Sequence, residues 1–287
     1  MIVACQLAAD IHAKLGLSDL HELDGGHQSS VYQANSNGEP VVLKLVEALG
    51  VDRDALQTRL TMLSALSRRT EAVCAPVAIH DDVVHVLERD NGARCYAVCY
   101  QFAVGEQPDV THPGDAAMMG RELADLHRHL AALRPFDLPV ITGFRRQADG
   151  TPIRGCGPQQ LLHGDFSSAN IRVTAGRSRI FDFDDSGYGP IEFDLAQALY
   201  VVLFDAVTQK EPSQYEFFKA NFLAGYGERG GTEQSDTALN SLITQRVLAL
   251  GSWLADLSQA PPGVRNSSAD WLKTLRGFVH DYVQEPV

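Results

Sequence analysis

Apolar residues recur at three- and four-residue steps near the start of the chain, at Ile2, Val3, Leu7, Ile11 and Leu15. That spacing predicts an amphipathic helix within residues 2–17, ended by Gly16. The period then changes. Val31-Tyr32 and Val41 to Val46 read as two strands joined by the turn Asn35-Ser36-Asn37-Gly38, a strong hairpin signal. Helical spacing returns over residues 52–69 through Leu56, Leu60, Leu63 and Leu66, behind an acidic first turn. Two further runs, VAIHDDVVHVLE and ARCYAVCYQFA, complete a mostly antiparallel sheet of about five strands with one helix.

Beyond Gly105-Glu106-Gln107-Pro108 the spacing becomes helical. Residues 114–133 carry Met119, Leu123, Leu126 and Leu130 along one stripe. His127 and His129 in the same helix read as solvated or core-edge residues on different faces, not as metal ligands. Residues 134–160 are rich in Pro and Gly and read as a surface excursion. Four later segments, 195–207, 213–226, 236–257 and 268–283, are helical, with Trp253, Trp271, Phe278 and Tyr282 as expected core residues. The expected fold class is α+β. An N-terminal domain, residues 1–101, precedes a mainly helical domain, residues 102–287, with the boundary between Gln101 and Gly105.

The 287 residues suffice for a large core, and 45% hydrophobic with 21% charged residues is ordinary for a globular chain. A net charge of −12 argues against a nucleic-acid partner, which would need Lys/Arg surfaces. The acid excess is spread over both parts and favours cationic over anionic small molecules. Five irregularly spaced cysteines, Cys5, Cys74, Cys95, Cys99 and Cys156, lack a metal-spaced second pair and read as buried thiols in a reducing compartment. The N-terminus has no signal-peptide pattern, and no apolar run approaches the ~20 residues a bilayer needs. The expectation is a cytoplasmic protein with no membrane partner.

Candidate chemistry concentrates between Leu161 and Leu195. Two apolar runs, LLHGD and RIFDF, end in carboxylates. Asp165 is followed five residues later by Asn170, and Asp182 comes seventeen after Asp165. An acid, an amide and a second acid suit phosphoryl transfer. One carboxylate orients a hydroxyl and takes its proton, while an amide oxygen and a carboxylate suit Mg²⁺, a hard cation that prefers oxygen. Upstream, the small residues of Gly25-Gly26-His27-Gln28-Ser29-Ser30 allow backbone N–H groups close to phosphate oxygens. Lys44, alone among apolar strand residues, either snorkels or reaches a phosphate as a point charge.

Together these residues resemble the aminoglycoside phosphotransferase and choline kinase-like group, which has the two-lobed protein-kinase fold. The likeness spans roughly residues 20 to 280 and rests on Gly25-Gly26, Lys44 in VVLKLV, His163-Gly164-Asp165 with Asn170, Asp182 in IFDFDD, and Asp194 in FDLA. The phrase FDFDDSGYGPIEFDLA is similar to bacterial members that include homoserine-kinase-like, stress-response-kinase-like and antibiotic-phosphorylating proteins. The resemblance implies Asp165 as catalytic base, with Asn170 and Asp182 holding Mg²⁺. Lys44 and residues 25–30 would sit on the phosphates of ATP, or of GTP. Cys99 to Phe102, including Gln101, would be the linker whose backbone meets the base. Asp194 would brace the catalytic loop. One position departs: Arg59 stands where the group has a Glu to pair with the strand lysine, and Asp52, Asp54 or Glu71 would have to substitute.

From Phe181 to Gln209 there are six acidic residues and no Lys or Arg. Asp184 and Asp185 therefore offer carboxylates to the ammonium of an acceptor, or else cap the strand end or tune the metal. The expected activity is ATP-dependent O-phosphorylation of a small cationic molecule: an aminoglycoside or other antibiotic, an amino alcohol or homoserine. A Ser/Thr protein kinase of the same fold and a catalytically silent nucleotide-binding scaffold are the alternatives.

Overall fold

The computed structural model describes residues 5–23, 29–48, 51–89, 92–141 and 159–284. The chain divides into two compact units, residues 1–104 and 105–287. In the first, helix α1 (Cys5–Leu15) precedes strands β1 (Ser18–Glu22), β2 (Ser29–Ser36) and β3 (Glu39–Glu47). Helix α2 (Arg53–Ser67) then leads to β4 (Pro76–Val77), β5 (His85–Glu88) and β6 (Arg94–Gln101). The antiparallel sheet runs β1-β2-β3-β6-β4, with β5 also paired to β6.

The β2–β3 turn follows the sequence closely. Asn37 and Gly38 both have positive φ, and the Asn35 side chain accepts a hydrogen bond from the Gly38 N–H at 2.8 Å. The sheet has six strands, one more than expected. Strand β1, SDLHE, has a single apolar residue and lies at the edge largely exposed, so no alternation announces it. Asp52 caps α2 by accepting from the Asp54 N–H.

Period-two alternation sorts the faces of β3. Val41, Leu43 and Leu45 are buried in one core with Leu7, Ile11 and Leu15 of α1 and with Cys95, Ala97 and Cys99 of β6. Lys44 belongs to the other face. Its cross-strand neighbours are Val31 and Val98, and Val98 packs with Leu56 and Leu60 of α2.

The second unit contains α3 (Pro113–Ala131), β7 (Gln159–Leu162), β8 (Ile171–Thr174), β9 (Arg177–Ile180) and β10 (Gly187–Pro190). Helices α4 (Glu192–Gln209), α5 (Pro212–Glu228), α6 (Asp236–Ala255), α7 (Pro262–Arg265) and α8 (Ala269–Gln284) follow. Strands β7 and β10 form one antiparallel pair, β8 and β9 another. Helix α4 is apolar nearly all round and correspondingly buried, against α5, α6 and α8. Phe278 and Tyr282 lie in the core as expected, whereas Trp271 is 45% exposed, leaning on Phe204. Among the described residues no helix is long and apolar enough to cross a membrane.

Helices α3 and α5 approach at backbone distance through two glycines. A Cβ on Gly120 would stand 2.0 Å from the Phe222 carbonyl oxygen, and one on Gly225 2.0 Å from that of Ala117. Gly277 in α8 is the counter-case, since a Cβ there meets nothing within 4 Å. Gly225→Ala should therefore lower the melting midpoint by about 2–10 °C, because overpacking costs about 1–3 kcal/mol. Gly277→Ala should raise it slightly, as an unobstructed helical Gly→Ala gains about 1 kcal/mol. Calorimetry of both variants checks the contrast; equal shifts would contradict the close approach.

Candidate active site

The segment after β7 leaves the sheet at His163, which is fully buried. Two consecutive N–H groups there, those of His163 and Gly164, donate to the Asp194 carboxylate at 2.9 and 2.8 Å. Asp194 lies in the first turn of α4 with no exposure. His127 Nε2 meets the same carboxylate at 3.2 Å, and His127 Nδ1 faces the Tyr226 hydroxyl at 2.9 Å. Burial alone would push the Asp194 carboxyl up, but the His127 hydrogen bond and charge and the loop N–H groups hold it below its ordinary value. Asp194 is thus an ionised brace.

Gly164 has φ +87°, and a Cβ on it would lie 2.1 Å from the Asp185 carbonyl oxygen. Only glycine fits between that turn and the loop. The His163 ring locks Asp165, two residues on. Its Nδ1 accepts from the Asp165 N–H at 3.2 Å and its Nε2 faces the Phe181 carbonyl at 3.1 Å, a single tautomer that satisfies both.

Asp165 is half-buried, and its carboxylate is held at both oxygens. Gln197 Nε2 donates to Oδ1 at 2.7 Å, and Asn170 Nδ2 reaches Oδ2 at 3.2 Å and the Asp165 carbonyl at 2.9 Å. Burial pushes this carboxyl up, and nearby Asp182 adds to the rise; His163, Arg246 and the Gln197 hydrogen bond oppose them. Arg246 of α6 has its guanidinium 5.2 Å from the Tyr200 ring centre and 5.8 Å from that of Trp253.

Asn170 also fixes the following acid. Its carbonyl accepts the Phe181 N–H at 3.1 Å, so the exposed Asp182 follows directly beside it. The expected strand stops at Ile180 because Asp182 has φ +63°, a left-handed conformation that turns the chain out of the ladder. With Asn170 Nδ2 spent on Asp165, Asn170 Oδ1 and the Asp182 carboxylate form an all-oxygen donor pair. That suits Mg²⁺, which takes one or two protein ligands and completes its shell with water and phosphate. No cluster of three His, Cys, Asp or Glu able to hold a metal occurs among the described residues. Asp184 is half-buried and Asp185 exposed, in the turn that packs on Gly164.

The first unit holds the residues expected at the nucleotide. Gly25, Gly26, His27 and Gln28 lie outside the described residues. Ser29 and Ser30 open β2 opposite Val46 and Leu45. Cys99 is a core residue: it pairs with Leu43 and Val77, and burial pushes its thiol up to about 12. The Gln101 N–H donates to the Ala75 carbonyl at 2.9 Å, and its side chain accepts from the Ala75 N–H. Phe102, half-buried, follows the strand. Arg59 is half-buried on α2, and its Nε lacks a hydrogen-bond partner.

Two side chains beside Asp165, Gln197 and Arg246, were not singled out in the sequence, and His127 was read only as a solvated or core-edge residue. His127 shares the stripe of Leu123 and Leu130, so its helical phase already placed it inward. Gln197 is a lone amide in the apolar run of α4, three residues after Asp194 and so on the same side. Arg246 gives no local signal.

A curated relative, the amicoumacin kinase of Bacillus subtilis (strain 168), is 22% identical over 255 residues, which is 78% of this chain and 76% of the relative. A solved amicoumacin kinase in complex with AMP-PNP, Ca²⁺ and Ami superposes with a TM-score of 0.73 at 18% identity, covering 99% of this chain and 94% of that one. A microcompartment-associated aminopropanol kinase gives a TM-score of 0.66 at 20% identity over 96% and 97%. The fold is therefore the α+β, protein-kinase-like one that the sequence resembles. Residues 144–238, which carry Asp165, Asn170, Asp182 and Asp194, match the model of the phosphotransferase enzyme family.

Proposed function

We propose that this protein is an ATP-dependent phosphotransferase that moves a γ-phosphoryl group to a hydroxyl of a small molecule. The observation that carries the reading is the hydrogen-bonded cluster in which Asn170 ties the Asp165 carboxylate to the chain segment bearing Asp182. Asp165 orients the acceptor hydroxyl and accepts its proton as the new P–O bond forms and the bond to ADP breaks. Its basicity need not be high, since positioning and charge neutralisation supply most of the acceleration. Asn170 and Asp182 would hold Mg²⁺, which neutralises charge on the nucleotide phosphates when bound. Lys44 and residues 25–30 serve the phosphates, and the linker after β6 serves the base, with GTP as a possible donor in place of ATP. Asp184 and Asp185 favour an acceptor bearing an ammonium group, as in an aminoglycoside or amino alcohol. We place the protein in the cytoplasm, where ATP is present; its buried thiols at Cys74, Cys95 and Cys99 agree with a reducing compartment.

Mg²⁺-dependent ADP release should rise with one class among aminoglycosides, other cationic antibiotics, amino alcohols, homoserine and a generic protein substrate. Asp165→Ala should reduce that turnover by about 100- to 10,000-fold, the contribution of a positioned general base. Normal turnover in the variant would exclude Asp165 as base, and stimulation by the protein substrate alone would favour a protein kinase.

The raised Asp165 pKa has a definite sign. Activity on the acid side should fall through a pKa above the ordinary 3.8, because the protonated carboxyl cannot take the hydroxyl proton. For stability, a carboxyl raised on folding contributes fully below its unfolded pKa, and that contribution is lost as pH rises through the folded one. Asp165→Asn should therefore melt higher than the native chain at pH 7 and lose that advantage at acid pH, as thermal scans across pH would show.

A further inference from the structure

We propose that Gln197 is a positioning residue for the transfer, fixing the Asp165 carboxylate so that Oδ1 is tied down and Oδ2 is turned to the acceptor. The inference deepens the reading of Asp165 as base and rests on it.

Gln197 is 4% exposed in the middle of α4, where nearly every neighbour is apolar. Its Nε2 makes the shortest hydrogen bond to the Asp165 carboxylate, at 2.7 Å, against 3.2 Å from Asn170. Its Oε1 is buried with no partner. A buried amide with an unmet carbonyl is a net cost to the fold, and the contact that offsets it here is the one to Asp165. That contact also sets which way the amide points. Turned over, Oε1 would face a carboxylate oxygen.

The two amides act on different freedoms of the base. Asn170 spans the Asp165 carbonyl and Oδ2, linking the side chain to its own backbone. Gln197 comes from a buried helix and holds Oδ1 against rotation of the carboxylate plane. The charged and titratable groups facing Asp165 are His163 beside it, Asp182 after β9 and Arg246 of α6. Without the Gln197 donor the Asp165 carboxylate loses its shorter side-chain hydrogen bond and is free to turn away.

The test uses the full chain and two variants, Gln197→Met, of similar length without a donor, and Gln197→Glu, which sets a carboxyl against Asp165. The acceptor found in the screen supplies kcat and KM. Both variants should lose kcat by about 10- to 100-fold, as misplacement of a catalytic group does, with KM for ATP little changed. A merely structural role would lower the melting midpoint of the variants and leave kcat native well below that midpoint, whereas a positioning role lowers kcat there with KM for ATP held. In parallel, the ¹³C signal of the Asp165 carboxyl, assigned by its loss in Asp165→Asn, is recorded at one neutral pH in native and Gln197→Met protein. A displaced or broadened signal in the variant supports the inference even if no acceptor is found, in which case the proposed activity falls alone. Native kcat in both variants, or an unmoved signal, would overturn the inference while leaving the phosphotransferase reading in place. Should Gln197→Met fail to melt cooperatively, Gln197→Glu carries both measurements.

Discussion

A carboxylate with no access to water must be met by donors, and Asp194 is met by the backbone of the loop it supports. Two successive N–H groups and one imidazole converge on it. Their demand fixes the turn at Gly164, whose positive φ and close approach to the Asp185 carbonyl admit no side chain. The turn in turn presents Asp165. The imidazole end of the arrangement depends on helix packing, since Gly120 and Gly225 let α3 and α5 close until Tyr226 reaches His127. One buried charge thus couples a helix–helix contact to the geometry of the loop that carries Asp165.

The environments of Asp165 and Asp194 push the same functional group in opposite directions. Asp194 gains enough donors to be held ionised despite complete burial. Asp165 has two amides, a neighbouring acid and a recessed position, and its carboxyl is pushed up. On the proposed reading, that divergence separates a structural acid from the one that takes the acceptor's proton.

Much of this was legible from residue order. The Asp165–Asn170–Asp182 spacing brought three groups together because each lies at the end of a short strand or turn. The hairpin at Asn37-Gly38 and the amphipathic helices followed from local rules. What escaped reading depended on tertiary contact. Strand β1 carries too little apolar alternation to announce itself. His127 was assigned to the solvent or core edge, although its place on the Leu123–Leu130 stripe aims it inward at a partner 67 residues away. Cys99 is the buried thiol its apolar surroundings predicted, because β6 is paired on both sides at that point. Trp271 shows the converse: a large aromatic at helical spacing can lie over its neighbour and remain at the surface.

The division at Val104 and Gly105 has a consequence for how such a chain can change. Lys44 and its sheet belong to one separately packed body, whereas Asp165, Asn170, Asp182, Gln197 and Arg246 all belong to the other. On the proposed reading, changes around Asp184 and Asp185 can accumulate within codons 105–287 without disturbing the core around β3. A mutagenic library confined to Asp184, Asp185 and their surroundings, with Asn170 and Asp182 kept, would vary the acceptor side of the proposed site while its donor-side residues stay constant.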